Sequence, residues 1–278
     1  MSDLTASRRM RLLDTIRSEN QGIDLADCAM RLGVDERTIR RDVEYLQEML
    51  EDVQQVEIRR GYIYAKSATH ETGYFEVQSA QRTQEKEAIA REIAASLPDH
   101  AAIALTAGST NFRIAREICR KEIDPDTRLN LIVFTNSLPA LQELTHAGVD
   151  TGVLGEIYNA EDQAFHSADF HSAFQPGLLI VGASGAVVET DGSLQLYSHR
   201  SEEAVFLRQL IQRAPQVIVA LDSSKIGKIH PWPFAGNSSF AGKKVVLYTT
   251  SMDQPRLHSL ENLKNSNTFD FDYHIVIG

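Results

Sequence analysis

The feature that most constrains the fold is an alternation of short apolar runs with helical patterns between residues 102 and 248. The runs are Ala102–Leu105, Leu131–Phe134, Val153–Leu154, Leu178–Val181, Val217–Leu221 and Val245–Tyr248. Helical patterns over 110–121, 137–147 and 202–214 separate several of them. Continuous apolar strands that alternate with helices are typical of a mainly parallel, doubly wound α/β sheet. We therefore predict an α/β domain with this architecture.

The first 50 residues carry the pattern of three short helices. The first has an apolar stripe formed by Met10, Leu12, Leu13 and Ile16. Asp24 suits the N-cap of the second helix, and Gly33 would end that helix. The third is predicted from Glu36 to Leu50, with a buried face at Ile39, Val43, Leu46 and Leu50.

A short hairpin is predicted next, because Val56–Ile58 and Tyr62–Tyr64 flank Arg59, Arg60 and Gly61. The polar stretch that follows predicts a domain boundary. We expect a winged helix-turn-helix domain over residues 1–66, a linker over 67–77 and the α/β domain over 78–278, starting with a helix at Gln78–Leu97.

The third helix carries side chains suited to DNA. Its first two turns contain Arg37, Thr38, Arg40 and Arg41 opposite the Ile39–Val43 face. Arginine can bind guanine edges or phosphates, and threonine can reach a phosphate or a thymine methyl. Arg59 and Arg60 on the hairpin would suit phosphate or minor-groove contacts. The alternative is a three-helix bundle with solvated arginines that pair with Glu36, Asp42 or Glu44.

Charge limits how such a domain could bind DNA. The whole chain has a net charge of −10, and residues 1–66 contain 11 Lys and Arg against 13 Asp and Glu. Affinity would have to come from the local arginine cluster, since the remaining surface repels phosphate. The chain has no signal-peptide core and no membrane-length apolar run, and its two cysteines suit reduced thiols, so we expect a cytoplasmic protein.

Polar and glycine-rich loops follow four of the predicted strands. The candidate ligand-binding residues in them are Gly108, Ser109, Thr110, Asn111, Thr135, Asn136, Gly182, Ser184, Gly185, Asp222 and Lys225. Parallel strands point their carboxyl ends into one crevice, and free N–H groups at a helix start can bind a phosphate there. The alternative for Ser109 or Thr110 is a helix N-cap. Asp222 and Lys225 could be a catalytic pair or, as we favour, a binding-site charge pair.

The stretch from Leu32 to Leu46 contains Thr38-Ile-Arg-Arg-Asp42-Val43, which resembles the DeoR-type helix-turn-helix signature Thr-Ile-Arg-Arg-Asp-Leu. The four loops, with Glu202, Glu203 and Arg208, resemble the sugar-phosphate-sensing domain of DeoR regulators, which is similar to ribose-5-phosphate isomerase and CoA-transferase-like enzymes. The chain departs from the family at the hairpin, where Arg59-Arg60-Gly61-Tyr62 replaces a glycine-rich stretch. It also departs at Glu156, which replaces a glycine.

The resemblance implies a repressor that binds operator DNA as a dimer or tetramer and releases or tightens on binding a sugar phosphate or related metabolite. It implies no cofactor, and we expect no metal site. One rival is an isomerase-like enzyme, against which the loop Gly182–Gly185 has no carboxylate to act as a general base. Another is a domain that binds a protein partner instead of a small ligand.

Overall fold

The computed structural model describes residues 8–9, 11–12, 15, 23–49, 56–59, 62–65, 74–167, 174–266 and 269–277. The chain divides into two compact units, Met1–Val77 and Gln78–Gly278. Among the helices described, none is both long and apolar enough to cross a membrane.

The smaller unit contains strand β1 (Ile23–Asp24), helices α1 (Leu25–Leu32) and α2 (Glu36–Met49), and strands β2 (Val56–Arg59) and β3 (Tyr62–Ala65). The predicted cap is confirmed, because the Asp24 carboxylate accepts hydrogen bonds from the N–H groups of Ala26 and Asp27. Gly33 ends α1 in the left-handed region at φ 68°, which glycine adopts without strain. Strands β2 and β3 form an antiparallel hairpin, and β1 pairs with β3.

The core of this unit forms between the two helices and the sheet. Its fully buried side chains include Leu12, Cys28, Ile39 and Ile63. Of the stripe predicted for the first helix, Met10, Leu13 and Ile16 lie outside the described residues, as does Leu50 at the end of the third.

The larger unit is built mainly from a parallel sheet and the helices that connect its strands. In chain order its elements are α3 (Tyr74–Ala80), which contains the boundary between the units, α4 (Thr83–Ser96), β4 (Ala102–Leu105), α5 (Ser109–Ile123), β5 (Ile132–Thr135), α6 (Leu138–His146), β6 (Asp150–Val153), β7 (Ile157–Asn159), β8 (Ala164–His166), β9 (Leu178–Val181), β10 (Gly185–Val188), β11 (Leu194–Ser198), α7 (Ser201–Arg213), β12 (Gln216–Ala220), β13 (Trp232–Gly236), β14 (Lys244–Thr249), α8 (Gln254–Asn265) and β15 (Asp270–Ile275).

Seven strands form one sheet in the order β15-β14-β12-β9-β4-β5-β6, and every neighbouring pair is parallel. This confirms the mainly parallel α/β sheet predicted from the apolar runs. The central strand β9 is buried at all four residues, as expected for a strand covered on both faces. One buried cluster contains α4, α5 and α6 residues such as Ile89, Ile114 and Leu144, and another contains α7 residues such as Phe206.

Two smaller sheets were not predicted. Strands β10, β11 and β13 form an antiparallel sheet, and β7 and β8 form a short hairpin. Gly155 precedes that hairpin at φ 94°, and a Cβ there would lie 2.8 Å from the Phe165 carbonyl carbon. Glycine is therefore required at 155, whereas the neighbouring Glu156 is exposed.

The helix predicted at Gln78–Leu97 is interrupted, which corrects the prediction of one continuous element. Helix α3 ends at Ala80, Arg82 has a left-handed φ of 52°, and α4 starts at Thr83. The reason is the buried ammonium of Lys86, which donates to the carbonyl oxygens of Gln78 at 2.5 Å and Gln81 at 2.7 Å. These carbonyls lie at the end of α3, where carbonyl groups lack helical partners.

Candidate functional site

Helix α2 presents two different faces. Ile39, Asp42 and Val43 are buried, whereas Arg37, Arg40 and Arg41 are exposed and Thr38 is half-buried. Among the described residues none forms an ion pair with these three arginines. The exposed face is therefore a cationic surface whose guanidinium groups are available to a phosphate or a base edge.

The acidic residue of the predicted motif has a structural role. Asp42 accepts hydrogen bonds from Arg8 Nε at 2.6 Å and Arg9 Nε at 2.7 Å. Burial raises the pKa of Asp42, but the two guanidinium groups outweigh burial and leave this pKa below its ordinary value. Asp42 thus anchors the start of the chain and does not neutralise the exposed arginines.

The hairpin arginines cannot be placed in the same way. The side chain of Arg59 and the whole of Arg60 lie outside the described residues. The predicted hairpin contacts with DNA stay predictions.

In the larger unit, the carboxyl ends of β12, β9, β4 and β5 lie side by side at one edge of the sheet. We call the space bounded by the loops after these strands the strand-end crevice. Hydrogen bonds join the loops: the Gly182 N–H donates to Thr106 Oγ1 at 3.4 Å, and the Ala107 N–H donates to Asn136 Oδ1 at 2.6 Å. The structure therefore brings the predicted loops together.

The first turn of α5 has the donors that the sequence suggested. Gly108 occupies the N-cap position at φ 128°, and no side chain caps the helix. Ser109, Thr110 and Asn111 are all buried in the first turn. Their N–H groups have no acceptor among the described residues, and such groups carry the positive end of the helix dipole. The alternative that Ser109 or Thr110 caps this helix is not what the structure shows.

Asn111 is held in one orientation inside the crevice. Its Nδ2 donates to the Thr106 carbonyl oxygen at 2.9 Å and lies 3.0 Å from Thr106 Oγ1. The other end of the amide, Oδ1, is buried and has no hydrogen-bond partner in the described structure. A buried acceptor without a partner is costly, so Oδ1 is a point at which a ligand donor would be stabilised.

The loop after β5 has its polar groups engaged within the protein. Asn136 accepts from Ala107 and donates from Nδ2 to the Phe165 carbonyl at 2.9 Å. Thr135 Oγ1 accepts from the Ser137 N–H at 3.1 Å, and Ser137 Oγ caps α6 by accepting from the Ala140 N–H at 3.3 Å. Asn136 therefore connects this loop to the loop after β4 and to the β7–β8 hairpin, and Thr135 shapes its own loop.

The loop after β12 is bound to the α3–α4 junction. Asp222 is buried 3.6 Å from Lys86 and accepts from the Ser224 N–H at 3.0 Å. Lys225 Nζ donates to Gln78 Oε1 at 2.6 Å. Glu85 accepts from the Ser223 N–H at 3.0 Å. The ammonium groups of Lys86 and Lys225 therefore both lie at this loop.

Burial changes the acidity of both lysines. It lowers the pKa of Lys225 to about 8, and the Asp222 carboxylate only partly offsets it. Burial also lowers the pKa of Lys86, again against the attraction of Asp222. A desolvated ammonium is stabilised by an incoming anion, so Lys225 is suited to bind one.

The loop after β9 leads to a polar cluster that the sequence did not reveal. Ser184 Oγ lies 2.8 Å from His199 Nδ1, and His199 Nε2 lies 3.1 Å from Asp162 Oδ1. Arg200 Nε pairs with Asp162 Oδ2 at 2.6 Å, and Glu203 accepts from Ser198. Gly185 is required at the end of this loop, because a Cβ there would lie 2.3 Å from the Lys228 carbonyl oxygen.

The sequence indicated no role for His199 or Lys86. A signal for Lys86 was present: it lies three, four and seven residues before Ile89, Ala90 and Ile93, on the apolar face of the predicted helix. A lysine on such a face must find buried acceptors. No local pattern indicated the contact between Asp162 and His199, because 37 residues separate them.

Comparison with known proteins places the chain in context. Residues 81–242 match the family model described as DeoR C terminal sensor domain. The glycerol-3-phosphate regulon repressor of Escherichia coli K12 is 28% identical over 200 residues, covering 70% of this chain and 73% of that protein. The HTH-type transcriptional repressor CsqR of the same organism is 25% identical, covering 81% and 82%.

Among solved structures, ribose 5-phosphate isomerase A from Methanocaldococcus jannaschii is similar to 52% of this chain, over 55% of its own. The TM-score is 0.40 and the sequence identity 16%. A similarity this distant supports no argument about activity.

Proposed function

This chain belongs to the DeoR family, and from that premise we propose that it is a DNA-binding transcriptional repressor controlled by a phosphorylated sugar or a related metabolite. The observation that carries the proposal is the uncapped, buried first turn of α5 at the strand-end crevice, with Lys225 two strands away. Neighbouring strands are about 4.8 Å apart, so the ends of β12 and β4 lie roughly 10 Å apart. A lysine side chain and a bound phosphate can together span this distance. The proposed phosphate-binding groups are the backbone N–H groups of Ser109, Thr110 and Asn111 and the ammonium of Lys225.

The remaining predicted crevice residues have supporting roles in this proposal. Gly108 allows the uncapped helix start, and Gly185 lets the chain after β9 approach the Lys228 carbonyl. The Gly182 N–H joins the β9 loop to Thr106, and Asp222 orients the lysine loop. The glycerol-3-phosphate regulon repressor is named for a phosphorylated polyol, which agrees with an effector of this class.

The proposed effector is bound and not converted. The loop Gly182–Gly185 contains no carboxylate, and the buried Asp222 is engaged by Lys86 and Ser224. Neither the loop after β9 nor the loop after β12 therefore supplies a free carboxylate that could remove a proton from a bound sugar phosphate.

We propose that the smaller unit is a winged helix-turn-helix, with α2 as the recognition helix and β2–β3 as the wing. The support is the separation of α2 into a buried face and an exposed face of Arg37, Arg40 and Arg41, with Thr38 at the border. A recognition helix reads base edges with its N-terminal residues. Paired half-sites, and hence a dimer or tetramer, would follow from this mode of binding.

The test is operator binding by Arg40→Ala and Arg41→Ala, on DNA selected by the wild-type protein from a random library. Each substitution should weaken specific binding by about tenfold or more, because a bidentate arginine–base contact contributes roughly 1–3 kcal/mol. Arg120→Ala is the matched control, since it removes the same charge from an exposed site on the larger unit. Wild-type binding by both α2 variants would refute the assignment of the recognition helix.

A further inference from the structure

The strand-end crevice contains hydrogen-bond acceptors that the proposed phosphate contacts do not use. We call Asn111, Asp162, His166, Ser184 and His199 the acceptor cluster. The side chains of this cluster lie beside the proposed phosphate-binding groups, so what they bind rests on the proposed function.

The hydrogen-bond chain fixes what Ser184 can offer. Asp162 can only accept, so the proton of a neutral His199 ring lies on Nε2, and Nδ1 accepts from the Ser184 hydroxyl. The backbone N–H of His199 also donates a hydrogen bond to Ser184 Oγ at 3.2 Å. Ser184 has then used its only hydrogen and retains one lone pair. It can accept a hydrogen bond from a ligand but cannot donate one.

Two further buried groups lack partners among the described residues. Asn111 Oδ1 is an acceptor only, and Asn111 is 1% exposed. His166 is 7% exposed, and neither of its ring nitrogens has a hydrogen-bond partner. Burial lowers the pKa of His166, which favours the neutral ring with one acceptor nitrogen. Buried polar atoms normally have partners, so Asn111 Oδ1 and the acceptor nitrogen of His166 point to a ligand that supplies hydrogen-bond donors.

The surroundings of the cluster are acidic. Asp162 and Glu161 both pair with Arg200, and Glu203 lies 3.7 Å from His199 Nδ1. Glu202 also acts electrostatically on His166. These four carboxylates outnumber the two cations near them, Arg200 and Lys225. This part of the crevice is therefore negative, and like charges that are brought together on binding oppose association.

The acceptor cluster is continuous with the phosphate-binding residues. Gly182, two residues before Ser184, donates to Thr106 beside the start of α5. Glu203 acts electrostatically on Lys225, and Lys225 on His230, which His199 also influences. One small ligand can therefore contact both parts of the crevice.

We infer that the crevice selects a monophosphorylated polyol or sugar, whose hydroxyl groups donate to Asn111 and Ser184, and rejects ligands with a second anionic group. The phosphate lies at the start of α5 and Lys225, where donors and cations predominate. The acceptor cluster, which starts at the Asn111 side chain, presents acceptors and negative charge. Selectivity therefore comes from the difference in polarity between these two parts of the crevice.

The test compares matched ligand pairs by calorimetry on the full-length chain. Glycerol 3-phosphate is compared with 3-phosphoglycerate, which replaces a hydroxymethyl group by a carboxylate. Fructose 6-phosphate is compared with fructose 1,6-bisphosphate. The monophosphate of at least one pair should bind. Wherever a monophosphate binds, its affinity should be at least about tenfold higher than that of its doubly anionic partner. Equal or tighter binding of the doubly anionic partner overturns the inference.

A second arm uses Asp162→Asn, which removes one carboxylate and keeps the shape of the side chain. The ratio of affinities within a pair should fall severalfold, mainly because the doubly anionic ligand binds better. Ser137→Ala is the control, since Ser137 only caps α6, and it should leave the ratio unchanged. A ratio in Asp162→Asn equal to that of wild type, in folded protein, would also contradict the inference.

The two proposals fail in different ways. If neither monophosphate nor either doubly anionic compound binds, the proposal of a phosphate-controlled repressor fails and this inference falls with it. If 3-phosphoglycerate or the bisphosphate binds as tightly as its monophosphate or more tightly, and Lys225→Ala abolishes that binding, phosphate sensing stands while the inference about the acceptor cluster is wrong.

Discussion

Helices α5 and α6 follow neighbouring parallel strands and start with similar residues, yet their N-termini differ. In α6, Ser137 occupies the N-cap position with extended backbone, and its hydroxyl accepts from the Ala140 N–H. In α5 the N-cap is Gly108, no side chain caps the helix, and Ser109 and Thr110 lie within the first turn. At the start of α6 a side chain accepts from one backbone N–H group. At the start of α5 no side chain does so, and the backbone N–H groups are available to a ligand.

The difference arises from a shift of one residue. A serine caps a helix only from the N-cap position, where its side chain can turn back to the N–H groups of the first turn. The positive φ of Gly108 moves the serine and threonine of α5 beyond that position. Serine and threonine before a helix are therefore not evidence of a ligand site by themselves, whereas a buried helix start without a cap is.

The largest expected effect concerns the cation at the open helix start. Lys225→Ala should weaken effector binding about ten- to a hundredfold, because it removes a charge-assisted hydrogen bond. Operator binding without effector should not change. The measurement is release of operator DNA against effector concentration, with Lys228→Ala as the control because Lys228 is an exposed lysine of the same loop. If Lys225→Ala releases operator DNA at the same effector concentration as wild type, Lys225 does not bind the effector.

A pH dependence should follow from the same lysine. The pKa of Lys225 in the free protein is about 8, and a bound phosphate favours the charged form. Effector affinity should therefore fall as the pH rises from 7.5 to 9.5, by about tenfold as the free lysine loses its proton. Lys225→Arg stays protonated throughout this range and should largely abolish the fall, as measured by calorimetry. The same slope in both proteins would contradict the assignment.

The smallest effects should separate the two helix starts. Thr110→Val removes a hydroxyl from α5 and should weaken effector binding by about 1 kcal/mol, roughly fivefold, with little change in thermal stability. Ser137→Ala removes the α6 cap and should lower the free energy of unfolding by about 1 kcal/mol without changing effector affinity. Calorimetric titration measures the effector affinity of both variants, and thermal unfolding measures their stability. Parallel behaviour of the two variants would show that the helix starts do not differ in function.

Much of the sheet could be predicted from the sequence because buried parallel strands are apolar throughout. Ala102–Leu105 and Leu178–Val181 were predicted with the bounds that the structure has. Strands such as β7 and β8, of three residues each, are too short to have a distinct pattern. Their position depends on contacts with distant residues, for example that between Asn136 and the Phe165 carbonyl.

The candidate site could be predicted only in outline. Strand-end loops indicated where ligand-binding residues should lie, because parallel strands end at one edge. The role of individual side chains was decided by contacts that the local pattern does not encode: Asn136 joins loops 29 residues apart in sequence, and Lys86 ends α3. The acceptor cluster depends on the contact between Asp162 and His199, which no local pattern encodes.

The claim that α5 is the open, phosphate-binding helix start can be tested most directly by nuclear magnetic resonance. Inorganic phosphate, the group shared by all the proposed effectors, is titrated into the ¹⁵N-labelled full-length chain. The amide resonances of Ser109, Thr110 and Asn111 should shift and saturate together, while those of Ala140 and its neighbours in α6 stay in place. Saturable shifts at α6 with none at α5 would contradict the account.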